Sequence, residues 1–268
     1  MIAKLKDLYK YRELITTLVA RELKARYRGT VLGFLWSFLN PMLLMLVYSV
    51  IFGLLLPNRF PGIVEKAHYS VFLFTGLLPW TWFNSSVLES SNVLFVQGNL
   101  IKKIQFPVEV LPIMVVITNM INFILGLPIL ILFFIIFSKS LSLWVLFFPV
   151  AVFVQFVFTM GLCFLVSALT VHFRDLKDIL TNLLTLWFFA TPIIYPFEAP
   201  QIQNHFWAKL FLSLNPMTHI VEAYHYTFYF GSLPHWKKLP VTLLVGIILF
   251  YLGYLIFDKL RDTFVEEV

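Results

Sequence analysis

Apolar residues occur along this chain in six long blocks separated by shorter polar segments. The blocks cover residues 31–56, 69–88, 108–137, 144–169, 179–195 and 239–257. Each is close to the roughly 20 residues that an α-helix needs to cross the roughly 30 Å hydrocarbon core of a bilayer. The pattern therefore predicts an all-α, polytopic integral membrane protein with six transmembrane helices.

The composition excludes an ordinary soluble enzyme. Of the 268 residues, 60% are hydrophobic and 13% are charged, whereas about a quarter of the residues in a soluble domain are charged. The net charge of +6 does not indicate nucleic-acid binding, because the basic residues lie mainly between and before the apolar blocks. The single cysteine, Cys163, leaves no partner for an intrachain disulfide. The six histidines show no metal-ligand spacing, so we predict no metal site.

The distribution of Lys and Arg predicts the orientation in the membrane. Eight of the twenty occur in residues 1–28, and six more occur in residues 92–107, 170–178 and the C-terminal tail. Basic residues accumulate in cytoplasmic segments, so we expect both termini in the cytoplasm. Residues 57–68, 138–143 and 196–238 are then external. We expect the aromatic-rich last loop to lie in or dip into the outer interface.

The segment 1–30 has the pattern of an amphipathic helix. Apolar residues fall on one side at about 100° per residue, and Arg21, Lys24 and Arg28 fall on the other. One interpretation is an interfacial helix along the cytoplasmic surface of the membrane. The alternative is that these cations only set the topology.

Two cytoplasmic loops have the character of docking segments. Residues 92–107 are amphipathic and basic, and they end at Pro107, which would separate them from the next span. Residues 171–178 carry charges of alternating sign, which suits pairing with a protein surface. Either loop could equally be a solvated connection between spans.

Four segments together carry a resemblance to a known family. They are RELKARYRGTVLGFLWSFLNP at 21–41, NLIKKIQFP at 99–107, FRDL at 173–176 and NPM at 215–217. The chain resembles the type-2 ABC exporter permeases of the polysaccharide group, above all those that export O-antigen or teichoic acid. The resemblance covers nearly the whole chain, so residues 1–268 are expected to form a single transmembrane domain.

The resemblance implies a transport subunit rather than an enzyme. Such a permease forms a homodimer and binds two copies of a separate ATPase, which holds ATP and Mg. No cofactor is expected on this chain. The dimer would export a lipid-linked polysaccharide across the bacterial cytoplasmic (inner) membrane. The residues expected to contact the ATPase are Asn99, Leu100, Ile101, Lys102, Lys103, Phe106, Pro107, Phe173, Arg174 and Asp175.

Side-chain stripes on the first and fifth predicted spans suggest the wall of a conduit. On the first span an aromatic stripe falls within about 80° of arc, with Trp36 and Asn40 off it. A hydroxyl and aromatic stripe follows one face of the fifth. Aromatic faces can stack on sugar rings, although ordinary helix packing is the alternative for any one residue. The candidate conduit residues are Phe34, Phe38, Tyr48, Phe52, Thr181, Thr185, Phe188 and Tyr195.

The chain lacks the motif G-x-x-x-x-G-K-[ST] that cradles nucleotide phosphates, so a partner must hydrolyse any ATP. Glu89, Glu109, Asp175 and Asp178 fall at the ends of spans, and the uncharged interiors argue against proton or sodium coupling. Two alternatives remain open. One is export of a drug or lipid by the same fold. The other is a membrane glycosyltransferase or acyltransferase, for which no acidic pair or histidine cluster is evident.

Overall fold

The structure is a computed structural model that describes residues 10–27, 35–48, 50–51, 69–103, 107–136, 142–173, 175–233 and 238–267. All regular secondary structure within these ranges is helical, which confirms the predicted all-α class. The α-helices are α1 Arg12–Tyr27, α2 Trp36–Tyr48, α3 Tyr69–Ser90, α4 Val93–Val96, α5 Gly98–Lys103, α6 Val110–Ile136, α7 Phe148–His172, α8 Leu176–Phe189, α9 Pro200–Gln203, α10 Phe206–Leu214, α11 Pro216–Tyr224, α12 Lys238–Leu260 and α13 Phe264–Glu267.

Within the described ranges, four helices have the length and hydropathy to cross a membrane. They are Tyr69–Ser90, Val110–Ile136, Leu143–His172 and Lys238–Thr263, and they contain α3, α6, α7 and α12. All four coincide with predicted spans. The chain is therefore a multi-pass membrane protein.

The other two apolar blocks contain shorter helices. Helix α2 has 13 residues and α8 has 14, which at 1.5 Å per residue gives only about 20 Å each. Residues 28–34 and 52–68, on either side of α2, lie outside the described part of the chain. The prediction of one continuous helix over 179–195 is wrong at its end, because α8 stops at Phe189 and turns follow. Pro192 explains the break, since proline disfavours a helical residue before it.

Helix α3 lies at the centre of the bundle and is buried along most of its length, against α6, α7 and α11. Gln155 of α7 joins three of these helices. Its Nε2 donates to the carbonyl oxygen of Pro79 at 2.7 Å, and its Oε1 accepts from the hydroxyl of Tyr224 at 2.7 Å. A buried amide satisfied on both sides positions α11 against the two spans.

Helices α7 and α12 are in close contact because glycines face each other. A Cβ at Gly253 would lie 2.3 Å from the carbonyl oxygen of Gly161, and a Cβ at Gly161 would lie 2.4 Å from the backbone nitrogen of Phe250. Small residues of this kind let membrane helices approach backbone to backbone.

The two segments expected at the membrane surfaces both pack against spans. Helix α1 lies against α6 and buries Leu18 and Val19, while Arg21 and Lys24 are exposed. On the external side, α11 was expected in or near the outer interface. Its apolar side chains are instead enclosed by α3, α7 and α12, so it is part of the bundle interior.

Candidate functional site

The predicted docking loop 92–107 folds into the two short helices α4 and α5. Ile101 is buried and fixes α5 to the bundle, whereas Asn99 and Lys102, three residues apart, are exposed. Leu100 is half-buried between them. Of Lys103 only the helical backbone is described, Phe106 lies outside the described residues, and Pro107 directly precedes the first turn of α6.

The second predicted docking loop lies between α7 and α8. Phe173 is 65% exposed, although it is a large aromatic residue next to the end of a span. Asp175 is also exposed, and Arg174 lies outside the described residues. We call Asn99, Lys102, Phe173 and Asp175 the coupling surface.

The C-terminal tail connects the two parts of the coupling surface. Helix α13 contacts both α5 and α7, and the fully buried Phe264 packs on Phe257 with ring centroids 5.1 Å apart. Arg261 pairs with the buried Glu109 at 3.2 Å. Sequence reasoning treated this tail only as a source of positive charge. The signal in the sequence that could have indicated this packing is Phe264, an aromatic residue beyond the last span.

A polar network joins the N-terminal helix to the same end of the bundle. Arg26 forms an ion pair with Glu89 and donates to Asn119 Oδ1 at 3.1 Å, and Asn119 Nδ2 donates to Glu89 at 2.9 Å. Arg21, predicted as an interfacial cation, donates to Gln97 in the α4–α5 linker at 3.1 Å. Lys24 is exposed, and Arg28 lies outside the described residues. Helix α1 is therefore tied directly to the segment that carries the coupling surface.

The candidate conduit residues are described only in part. Phe34 and Phe52 lie outside the described residues, and of Phe38 and Tyr48 only the helical backbone is described. Thr181 and Thr185 are exposed on α8.

The hydroxyls of Thr181 and Thr185 donate to backbone carbonyl oxygens one turn earlier, at 3.0 Å and 2.9 Å. Tyr195 is half-buried, and its hydroxyl donates to the carbonyl of Phe189 at 2.9 Å. Phe188 is buried against Trp80, so it packs in the bundle, and the aromatic side chain that α8 exposes is Phe189.

Among the described residues, no three His, Cys, Asp or Glu side chains come together as a metal-binding group. A sequence profile of the ABC-2 type transporter family matches residues 13–229. The chain belongs to the ABC-2 type transporter family. The match runs from α1 to the end of the π-helix His225–Phe230 that follows α11.

Individual relatives of this ABC-2 type transporter agree with the profile. The O-antigen export system permease protein RfbA of Myxococcus xanthus is 41% identical over 268 residues, covering 100% of both chains. A protein of the same name from Klebsiella pneumoniae is 32% identical over 255 residues, 95% of this chain and 94% of the relative. The polysialic acid transport protein KpsM of Escherichia coli is 28% identical over 220 residues, 78% of each chain.

Proposed function

We propose that this chain is the membrane permease of an ATP-driven exporter for a lipid-linked polysaccharide of the O-antigen type. The observation that carries the proposal is 41% identity over the full length of a relative named as an O-antigen export permease. The bacterial inner membrane is the expected location, in keeping with the multi-pass membrane character of the chain and the export role named for its relatives.

The proposed architecture has six spans, cytoplasmic termini and an interfacial α1 within a single domain of residues 1–268. Two copies would enclose the conduit between their α2 and α8 helices. This arrangement is supported by the apolar surface that both helices leave open in the single chain. Exposed residues include Leu46 and Val47 on α2, and Leu183, Leu186 and Phe189 on α8. A second copy or lipid must cover side chains of this kind.

The proposed motor is a separate ATPase subunit that binds ATP and Mg, with one copy on each permease. The coupling surface supports this, because Lys102 and Asn99 are exposed on a helix that Ile101 anchors to the bundle. Helix α5 contacts α4, and α4 contacts α3 and α6, so a push from a cytoplasmic partner on α5 can be transmitted to these two spans.

The Lys102→Glu variant tests the motor contact. It reverses a charge at the centre of the proposed interface, so co-purification with the ATPase and surface polysaccharide should both fall. Lys209→Glu makes the same change at an exposed position on α10, on the external side, and should leave both unchanged. Equal ATPase recovery from the two variants would argue against the proposed contact.

Deletion of the gene tests the substrate class. We expect surface polysaccharide to disappear while lipid-linked polymer accumulates in the cytoplasmic leaflet. Unchanged polysaccharide with increased drug sensitivity would support the drug exporter. Turnover of a lipid-linked sugar by the purified chain, without an ATPase, would support the transferase.

A further inference from the structure

A cleft of about 520 Å³ opens between α2, α3 and α6, near their cytoplasmic ends. Arg26 of α1 lines it and also lines a second space of about 520 Å³, which Glu22 and Lys177 line as well. We call the first space the polar cleft. On α2 the polar cleft is lined by Trp36, Asn40, Pro41 and Leu44, which helical periodicity centres on a different face from the candidate conduit residues.

Two helices turn pairs of polar residues toward the polar cleft, and a third contributes a single polar residue. Helix α3 contributes Thr81 and Ser85, four residues apart, and α6 contributes Asn119 and Asn122. Helix α2 contributes Asn40. Residues three or four apart share one face of a helix. Polar side chains that converge at this depth of a membrane protein are costly in hydrocarbon and generally mark a functional path.

Two indole rings line the same space, and the more accessible of them is Trp36, since Trp82 is only 2% exposed. Trp82 is held in place, since its Nε1 donates to the carbonyl of Val116 at 3.2 Å and its ring stacks on Phe123 at 5.2 Å. Trp36 is half-buried on α2, one turn before Asn40. Trp36 and Asn40 both fall off the aromatic stripe of the first apolar block. Both residues line the polar cleft.

Amides, hydroxyls and aromatic faces together suit a sugar ring. A pyranose presents hydroxyls that both donate and accept hydrogen bonds, as Asn and Ser side chains do. Its axial C–H groups form apolar faces that pack on aromatic rings. The volume of the cleft lies within the range of small-molecule sites, which is about 300–1,000 Å³.

The charges favour a neutral ligand over a phosphate group. Arg26 is already paired with Glu89, and its Nε lies 3.8 Å from Glu22. An anion would have to compete with two carboxylates for this guanidinium. A sugar hydroxyl can instead accept a hydrogen bond from the guanidinium without displacing the ion pair.

We propose that the polar cleft is a loading site that binds a sugar residue of the polymer before the polymer enters the conduit. The inference rests on the proposed function, because it takes the exported polysaccharide as the ligand. Helix α2 then has two sugar-facing sides, one toward the polar cleft and one toward the conduit.

Single-cysteine labelling tests the loading site. Cys163 is buried, and its replacement by Ala leaves a background in which each variant has one thiol. The variants are Ser85→Cys and Asn40→Cys in the polar cleft, Thr185→Cys on the conduit face, and Leu132→Cys at an exposed apolar position of α6. Inverted inner-membrane vesicles containing the complete transporter are treated with a small water-soluble maleimide. The vesicles come from cells that make the polymer and from cells that lack its glycosyltransferases.

Both cleft thiols should react in vesicles without polymer and be protected in vesicles with polymer. A site that is four-fifths occupied reacts about fivefold more slowly, because only the free fraction is accessible. Leu132→Cys lies on the lipid-facing surface of a span, so it should not react with the water-soluble maleimide in either kind of vesicle and serves as the unreactive control. Cleft thiols that never react, or that react equally in both vesicles, overturn the loading site.

Thr185→Cys separates failure of this inference from failure of the proposed function. Protection at Thr185 without protection at Ser85 and Asn40 rejects the loading site and retains polysaccharide export. Absence of protection at all three positions, together with normal surface polysaccharide in the gene deletion, rejects both.

Discussion

The indole Nε1 of Trp187 donates a hydrogen bond to Asn215 Oδ1 at 2.8 Å. Asn215 also accepts from the backbone nitrogen of Met217 at 3.0 Å, as the N-cap of α11. Its Nδ2 donates to the carbonyl of Ala190 at 2.9 Å and to Thr191 Oγ1 at 3.0 Å. This one amide therefore joins the end of α8 to the start of α11. The Asn-Pro-Met motif thus has a clear structural role.

Replacement of Asn215 by Ala should destabilise the protein strongly. It removes the cap of α11 and leaves the Trp187 indole without an acceptor, a combined cost of about 3 kcal/mol. The measurement is thermal unfolding of the purified protein in detergent. Asn204→Ala, at an exposed turn residue, is the control and should shift stability by less than about 0.5 kcal/mol. Similar unfolding of the two variants would contradict the role of Asn215.

Replacement of Gly253 by Ala should separate α7 from α12. The added Cβ meets a backbone oxygen that cannot move without its helix, which costs about 1–3 kcal/mol. Gly126→Ala is the matched control, since its Cβ would meet the Cδ2 of Leu78, at the end of a flexible side chain, at 2.5 Å. In detergent, Gly253→Ala should unfold at a lower temperature than Gly126→Ala. The reverse order would show that α7 and α12 are not in backbone contact.

Replacement of Arg26 by Leu should loosen α1. It leaves the Glu89 carboxylate without its ion-pair partner, and because both side chains are partly exposed we expect a loss of about 1–2 kcal/mol. The second change, Glu89→Leu, should recover part of this loss in a double-mutant cycle. Proteolysis of α1 in membranes gives an independent measurement. Additive effects in the cycle would mean that the two residues are not coupled.

Replacement of Lys238 by Met should weaken the end of the bundle at which α12 begins. Lys238 Nζ lies 3.5 Å from Glu222 Oε2 and 4.6 Å from the centre of the Phe197 ring. Glu222 is buried, so losing Lys238 as its ion-pair partner should lower the free energy of unfolding by about 2 kcal/mol. Lys209→Met changes an exposed lysine and should be neutral. Glu222→Gln combined with Lys238→Met should restore stability, and failure to do so would assign the effect to lost packing on Phe197.

The sequence predicted the four long spans closely, but it was less accurate for the shorter helices. Helix α8 ends before Pro192, inside the fifth apolar block. The prediction relied on total hydropathy and overlooked this local break. Phe188 was placed on a conduit face by periodicity alone. Periodicity specifies which residues share a face, but it does not specify what that face contacts, and Trp80 of α3 covers Phe188.

The sequence by itself determined the class of this protein and the places where its four long spans begin. This was possible because a bilayer selects helices by the composition of about 20 consecutive residues, which is a local property. Only the tertiary structure decided how the polar residues are used. Arg26 and Glu89 are 63 positions apart, and Trp187 and Asn215 are 28 apart. Such pairs depend on which helices become neighbours, and that depends on the close packing of the whole bundle.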